Sequence, residues 1–309
     1  MTPVITPDRG LPRISIVVPC YNNERTILRA LGSIRAQTLQ DWECVIVDDG
    51  STDGSAQLLD SVGAVDPMFR LVRHTRNQGR GAARATGLAT ARGEFLAMVD
   101  ADDWIYPDKL RRQLNVLQST PTAAVASSSL AVFHDDLSIA GVHEITATHG
   151  LAPPLTGPRQ PPTPHAPSLI RMDAARAAGF NARFRCSEDT DFMVRLLLKH
   201  PYVHLPEPLY AYGEIGSMSR AKYRESDRAT LAIFRQYRRT YPVQAHLGLA
   251  RCAAKSLVRE VLFAMGQQHR MISAHARPAS LAEVADYQAA LASVRSATTT
   301  LEAELGGTN

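Results

Sequence analysis

Apolar and polar positions alternate along the first third of the chain in two textures. ISIVVP, Ile14 to Pro19, is an apolar run too short for a helix and predicts a buried strand. Asn23 can cap a helix running to about Gln37, with Ile27, Leu28, Leu31 and Ile34 on one face. ECVIVD, Glu43 to Asp48, predicts a second strand, and DDGSTDGS then breaks the chain before a helix opens at Gln57. FRLVRH (Phe69 to His74) and EFLAMVD (Glu94 to Asp100) predict two more strands, separated by the alanine-rich, helix-compatible stretch Gly81 to Ala91. Pro107 suits the first position of a helix over Asp108 to Leu117. Strand–helix alternation of this kind predicts an α/β fold, with a mostly parallel sheet covered by helices on both faces.

Further on, Ala123 to Phe133 and Tyr202 to Tyr212 predict strands, and Glu188 to Lys199 a helix with Phe192, Met193 and Leu196 inward. The proline- and glycine-rich stretch Gly150 to Pro167 between them reads as a loop, a candidate lid over a site. Past Arg220 the pattern becomes helical only. Leu257, Val258, Val261, Leu262 and Met265 form an apolar stripe flanked by Arg251, Lys255 and Arg259. Ser280 and Glu283 form a capping box ahead of a helix with Val284, Tyr287, Leu291, Val294, Leu301 and Leu305 at heptad positions, interrupted at Thr298. That stripe can pack on its own domain or make a homodimer contact. The change of pattern divides the chain into an α/β domain, 1–219, and a helical C-terminal extension, 220–309.

Composition narrows the class. Hydrophobic residues make up 45% and charged residues 21%, as in a globular protein. No apolar run reaches the roughly 18 residues that span a bilayer, and MTPVITPDRG carries no secretory pattern. The expected location is therefore cytoplasmic. Cys20, Cys44, Cys186 and Cys252 are scattered and suggest free thiols rather than a zinc site or disulfide framework. The net charge of +4 is uneven, because Lys and Arg far outnumber Asp and Glu between Arg220 and Arg270. A basic C-terminal part suggests an anionic neighbour, such as an acidic glycan, a lipid phosphate or the cytoplasmic face of the inner membrane. A plain solvated face explains the same charges. Few aromatics interleave them and no nucleic-acid motif is present, so nucleic acid is not expected as a partner.

Three acidic segments carry candidate chemistry. VDADDWIYPDKL places Asp100, Asp102 and Asp103 just past an apolar strand, where open α/β sheets bind ligands. Clustered carboxylates repel unless a cation sits among them, and hard oxygen ligands suit Mg²⁺ or Mn²⁺. An acidic helix start ahead of Pro107 would give the same pattern. DDGSTDGS puts Asp49 where it could accept a hydrogen bond from a base or ribose, whereas Ser51, Thr52, Asp53 and Ser55 read as turn residues. SEDTDFMVRLL brings Glu188, Asp189 and Asp191 to a helix start, where the dipole stabilises them or where one serves as a base.

Together these segments resemble the family-two glycosyltransferases of the GT-A fold, over roughly Ile14 to Arg220. The landmarks are ISIVVPCYNNERTILRALGSIRAQTLQDWECVIVDDGSTDGS, RNQGRGAARATGLATARGEFLAMVDADDWIYPDKL and GFNARFRCSEDTDFMVRL. The resemblance implies an inverting transfer of sugar from a nucleotide-diphosphate donor, with UDP as the leading nucleotide, to an acceptor hydroxyl in polysaccharide or glycoconjugate synthesis. By the same resemblance Pro19, Tyr21 and Glu24 line the nucleotide pocket, with Tyr21 beside the base. Asp49 reads the base, and Gly79 and Arg84 lie near the nucleotide and its phosphates. Asp100 and Asp102 form the DxD motif, Asp100 near the ribose and Asp102 on the metal, and Asp189 is the general base. The implied partners are the donor, a glycan or lipid-linked acceptor and a divalent cation.

One departure stands out. Many relatives carry a histidine shortly before a GS(M/L)S segment, where it completes the metal site. YAYGEIGSMSR, Tyr210 to Arg220, has none, and Glu214 is the nearest substitute. That leaves a catalytically silent nucleotide-sugar-binding module as one alternative. A sugar nucleotidyltransferase is another, disfavoured because no glycine-rich basic loop follows the first strand. Trp104 can face a sugar or the core, and His165 can touch an acceptor but carries no assigned role.

Overall fold

The computed structural model describes residues 10–145, 150–181, 183–184, 186–213, 220–267 and 276–307. Glu214, the candidate metal substitute, lies outside them. Four parallel strands form one half of the sheet: β1 (Ile14–Cys20), β2 (Trp42–Asp48), β3 (Phe69–Arg73) and β4 (Phe95–Met98). Helices α1 (Ile27–Arg35), α2 (Ser55–Val65) and α3 (Arg80–Thr90) connect them in turn. Helix α1 starts later than expected: the chain first turns on the Asn23 carbonyl, which accepts from the N–H groups of Thr26 and Ile27. The Asn23 side chain accepts from the Tyr21 N–H rather than capping the helix.

The other half of the sheet contains β5 (Trp104–Ile105), β6 (Val125–Phe133), β7 (Ile139–His143), β8 (Gly150–Ala152), β9 (Leu169–Arg171) and β10 (Tyr202–Gly213), with α4 (Lys109–Ser119), α5 (Met172–Ala178) and α6 (Glu188–Leu197) between them. The strand order is β3-β2-β1-β4-β9-β6-β10-β5, with β7 beside β6 and β8 beside β10. Short β9 runs antiparallel to both β4 and β6, so β6 and β10 regain the direction of the first four strands. The sheet is therefore mixed but mostly parallel. The stretch expected as a loop begins as β8, antiparallel to β10.

Period-two alternation assigns side chains to two cores. Ile14, Ile16, Val18, Cys44 and Ile46 face α1, α2 and α4, while Val17, Val45 and Val47 face α3, α5 and α6. Gly87 lets α3 approach closely, since a Cβ there would sit 2.2 Å from a Val17 methyl.

Three helices follow: α7 (Arg220–Gln236), α8 (Pro242–Ala264) and α9 (Leu281–Gly306). Proline at the start of α8 costs no hydrogen bond there. Helix α9 opens on the expected capping box. Its Tyr287, Leu291, Val294 and Leu301 join the core beneath α1, so this stripe packs within the chain. Thr298 sits where α9 crosses Gly32 of α1, and a Cβ on Gly32 would lie 2.1 Å from its Oγ1. The interruption in the heptad pattern is thus a close helix crossing. Leu257, Val258 and Val261 of α8, and Met265 just after it, are exposed instead. All four cysteines are free thiols. No described helix is long and apolar enough to cross a membrane.

Candidate functional site

Parallel register brings the carboxyl ends of β1, β2 and β4 to one edge of the sheet: Cys20 pairs with Asp48, and Val17 with Met98. The loops leaving these ends therefore meet. Asn22 bonds Thr52 through both backbone and side-chain groups, and the N–H groups of Asn22, Asn23 and Glu24 donate to Ser51, Ser55 and Asp53. Glu24 accepts from the Gly54 N–H at 2.7 Å. Ser51, Thr52, Asp53 and Ser55 are thus the lacing of two loops, as their turn chemistry implied. Pro19 is half-buried one residue before the end of β1, and Tyr21, just past that end, is 43% exposed.

Asp49 is only 3% exposed. One carboxylate oxygen accepts from the Gln78 N–H at 2.9 Å and faces His74 Nδ1 at 2.6 Å, while the other accepts from the Gly79 N–H at 2.8 Å. Gly79, at φ 96°, lets the chain turn into α3 in a conformation open to glycine. Asp49 and Gly79, matched separately in the sequence, are in direct contact.

Arg84 projects from α3 and is 2% exposed. Its guanidinium donates at 2.8 Å to Glu188 and at 2.8 Å to Asp100. Burial alone would raise the Asp100 pKa, but Arg84 and Arg80 outweigh it and hold the carboxyl at about 2. Arg84 is therefore committed to two carboxylates, and Arg80, one helical turn earlier, is the more exposed cation beside Asp100. Sequence reasoning passed over Arg80. Its position directly after Gly79, four residues before Arg84, was the available signal.

Asp102 is half-buried, and its carboxylate accepts no hydrogen bond from another described residue. Burial and then the Asp100 charge raise its pKa, so a cation there would relieve both. Its backbone carbonyl is held by Arg29 at 2.6 Å. Asp103, the third carboxylate of the run, is structural. It is buried and accepts from Tyr210 Oη at 2.7 Å and the Gly213 N–H at 2.8 Å, while Tyr210 Oη accepts from the Asp100 N–H. The DxD loop is thereby pinned to β10. Trp104 does not face a sugar: it is fully buried and stacks on Tyr106 at 5.2 Å, with Tyr287 at 5.1 Å.

A divalent cation suits this corner as a partial site. Among the described residues no group of three His, Cys, Asp or Glu converges for a metal. Asp102 and the second oxygen of Asp100 are hard ligands, so the remaining positions would fall to water and a diphosphate, as Mg²⁺ commonly accepts.

Asp189 follows Glu188 on the first turn of α6. One of its oxygens accepts from the Thr190 N–H at 2.7 Å, and the residue lines a cavity of about 860 Å³. The cavity lies between the strap 156–165, the start of α6, and helices α7 and α8. His165 also lines it, buried edge-on against Phe180 and Phe192 with neither ring nitrogen hydrogen-bonded in the described structure. Burial, reinforced by Arg84, pushes the His165 pKa down to about 3, so it is neutral.

The family model described as glycosyl transferase family 2 matches residues 15–179, more than half of the chain. The chain belongs to this family. The chain is 40% identical over 124 residues to the putative glycosyltransferase EpsH of Bacillus subtilis, covering 40% of this chain and 36% of EpsH. It is 41% identical over 104 residues to the succinoglycan biosynthesis protein ExoO of Rhizobium meliloti, covering 34% of this chain and 29% of ExoO. Only about a third of these relatives' length is thus matched. Among solved structures, residues 1–349 of S. aureus TarS in complex with UDP-GlcNAc superpose with TM-score 0.65 at 19% identity, covering 93% of this chain and 81% of that one. Mannosyltransferase PcManGT of Pyrobaculum calidifontis, with GDP-Man and Mn²⁺, gives 0.58 at 17% identity, covering 95% and 88%. These likenesses establish the GT-A fold, including its helical C-terminal region.

Proposed function

We propose that this family-2 chain is an inverting glycosyltransferase that moves a sugar from a nucleotide-diphosphate donor, with UDP as the leading nucleotide, to an acceptor hydroxyl in polysaccharide or glycoconjugate synthesis. The observation that carries the reading is the shared guanidinium of Arg84. It ties the DxD segment to the ED segment, so that donor-side and acceptor-side carboxylates belong to one ion cluster.

On the donor side, Pro19, Tyr21, Glu24 and the Asp49–Gly79 clamp form the nucleotide end, and Arg80 faces the diphosphate. Asp102, with Asp100, would hold Mn²⁺ or Mg²⁺, which when bound neutralises charge developing on the departing diphosphate. On the acceptor side, Glu188 is spent on Arg84, which leaves Asp189 as the carboxylate open to the cavity. Asp189 takes the acceptor proton as the hydroxyl oxygen attacks the anomeric carbon from the face opposite the leaving group. One base and one leaving-group site on opposite sides suit a single displacement. The fold, and the UDP-GlcNAc and GDP-Man complexes of its structural neighbours, support a nucleotide-sugar donor.

A thermal-shift screen of nucleotide sugars with and without Mn²⁺ tests the proposal. A native-state ligand raises the melting temperature, so one donor should stabilise the wild type in a Mn²⁺-dependent way and Asp102→Ala much less. If no nucleotide sugar shifts the wild type, the proposal fails. Binding without release of nucleoside diphosphate would instead favour a silent binding module.

A further inference from the structure

We propose that the acceptor carries negative charge, as phosphate or carboxylate groups, and is held by a basic wall of the cavity beside Asp189; this rests on the proposed transfer reading. The wall is built by α8. Arg251, Lys255 and Arg259 fall at successive four-residue steps and all line the cavity, with Arg159 on the proline-rich strap. Like charges at this spacing repel along a helix unless something negative lies beside them.

The acids of the cavity do not supply that charge. Asp227 is paired with Arg259, and Glu144 with Arg277 at 3.0 Å. Asp189 is the base of the proposed reaction. Arg159, Arg251 and Lys255 therefore have no acidic partner among the described residues, although all three are exposed. Two cations of α7 are matched across the helix pair, where Glu260 of α8 takes both Arg220 and Arg224. Three cations without an acidic partner among the described residues thus line the cavity that Asp189 also lines.

The rest of the cavity suits a glycan. Ser187, Thr190, Ser226 and Thr230 offer hydroxyls, and the proline-rich strap offers flat apolar surface. The volume lies in the upper part of the range usual for ligand pockets, roughly 300–1,000 Å³. The wall is fixed relative to the base. Asp191, two residues beyond Asp189, accepts from Gln236 of α7 at 2.8 Å, and Phe234 packs against Gly248 of α8. A rigid basic surface beside the base would orient an anionic chain with its hydroxyl toward Asp189.

The test is calorimetric titration of the full chain, with UDP and Mn²⁺ present, using three probes: hexagalacturonate, farnesyl diphosphate and neutral maltohexaose. An anionic probe should bind, more weakly as salt rises, and maltohexaose should bind at least about tenfold more weakly. Preference for hexagalacturonate identifies a charged glycan, and preference for farnesyl diphosphate a lipid-linked phosphate. The double variant R251A/K255A should lose at least about tenfold in affinity for that probe. R238A/R239A, which removes the same charge from exposed positions outside the cavity, should not. Equal binding of maltohexaose, no binding of either anionic probe, or equal losses in the two double variants would overturn the inference. UDP binding, titrated first in the same samples, reports separately on the donor reading.

Discussion

Asp100 and Glu188 grip the same buried cation. Each accepts one hydrogen bond of 2.8 Å from the Arg84 guanidinium, although one carboxylate leaves a strand and the other opens a helix far along the chain. Arginine suits this bridge because its planar fork can serve two carboxylates at once and stays charged. Burial disfavours the Arg84 charge, but Asp100 and Glu188 outweigh it and raise its pKa.

Removing that cation should leave the buried Glu188 carboxylate without its hydrogen-bonded partner and the part-buried Asp100 with Arg80 alone beside it. Arg84→Met is expected to destabilise the fold by about 3–5 kcal/mol, the usual cost of breaking a buried ion pair from one side. Urea unfolding followed by circular dichroism measures it. A midpoint equal to the wild type would mean that the bridge is not structural.

Gly32 tests the seating of α9. Alanine is the better helix former by about 1 kcal/mol, yet its Cβ would sit 2.1 Å from Thr298 Oγ1 and 3.0 Å from Thr298 Cα. The backbone contact cannot be relieved by a rotamer change, so Gly32→Ala should destabilise by about 1–3 kcal/mol. Thr298→Ala should recover part of that loss in the double variant. A stabilised Gly32→Ala protein would contradict the crossing.

Lys109 should give the fold a pH dependence. It is fully buried on α4, donates to Gln113 Oε1 at 2.8 Å, and burial pushes its pKa from 10.5 down to about 7. The unfolded chain therefore binds a proton between about pH 7 and 10.5 that the folded chain does not. Stability contributed by this group rises with pH across that window and is absent below it. Lys109→Met should be more stable than wild type at neutral pH, and its melting temperature should rise less between pH 7 and 9.5. A parallel rise in both proteins would place the effect elsewhere.

The sequence made the framework readable because apolar runs and turn residues mark strand ends. Ile14, Ile16 and Val18 alternate with Ser15 and Val17, and Asp48–Asp49 and Asp100–Asp103 fall just past strands. Ser280 and Glu283 announced α9. Strands of two or three residues, such as Trp104–Ile105 and Leu169–Arg171, left no periodic trace, because their pairing is set by neighbours distant in sequence. Side-chain commitments were hidden for the same reason. Nothing local marks Asp103 as the partner of Tyr210, Lys109 as buried, or Arg84 as the bridge between two motifs.

The division of labour between Asp102 and Asp189 remains the central claim. Its most direct test is the rate of nucleoside-diphosphate release by Asp189→Asn, using the donor selected by the thermal screen and saturating Mn²⁺. The expected rate is about 10²- to 10⁴-fold below wild type, with donor affinity unchanged within about twofold because the proposal puts Asp189 on the acceptor side. A rate equal to wild type would contradict the account.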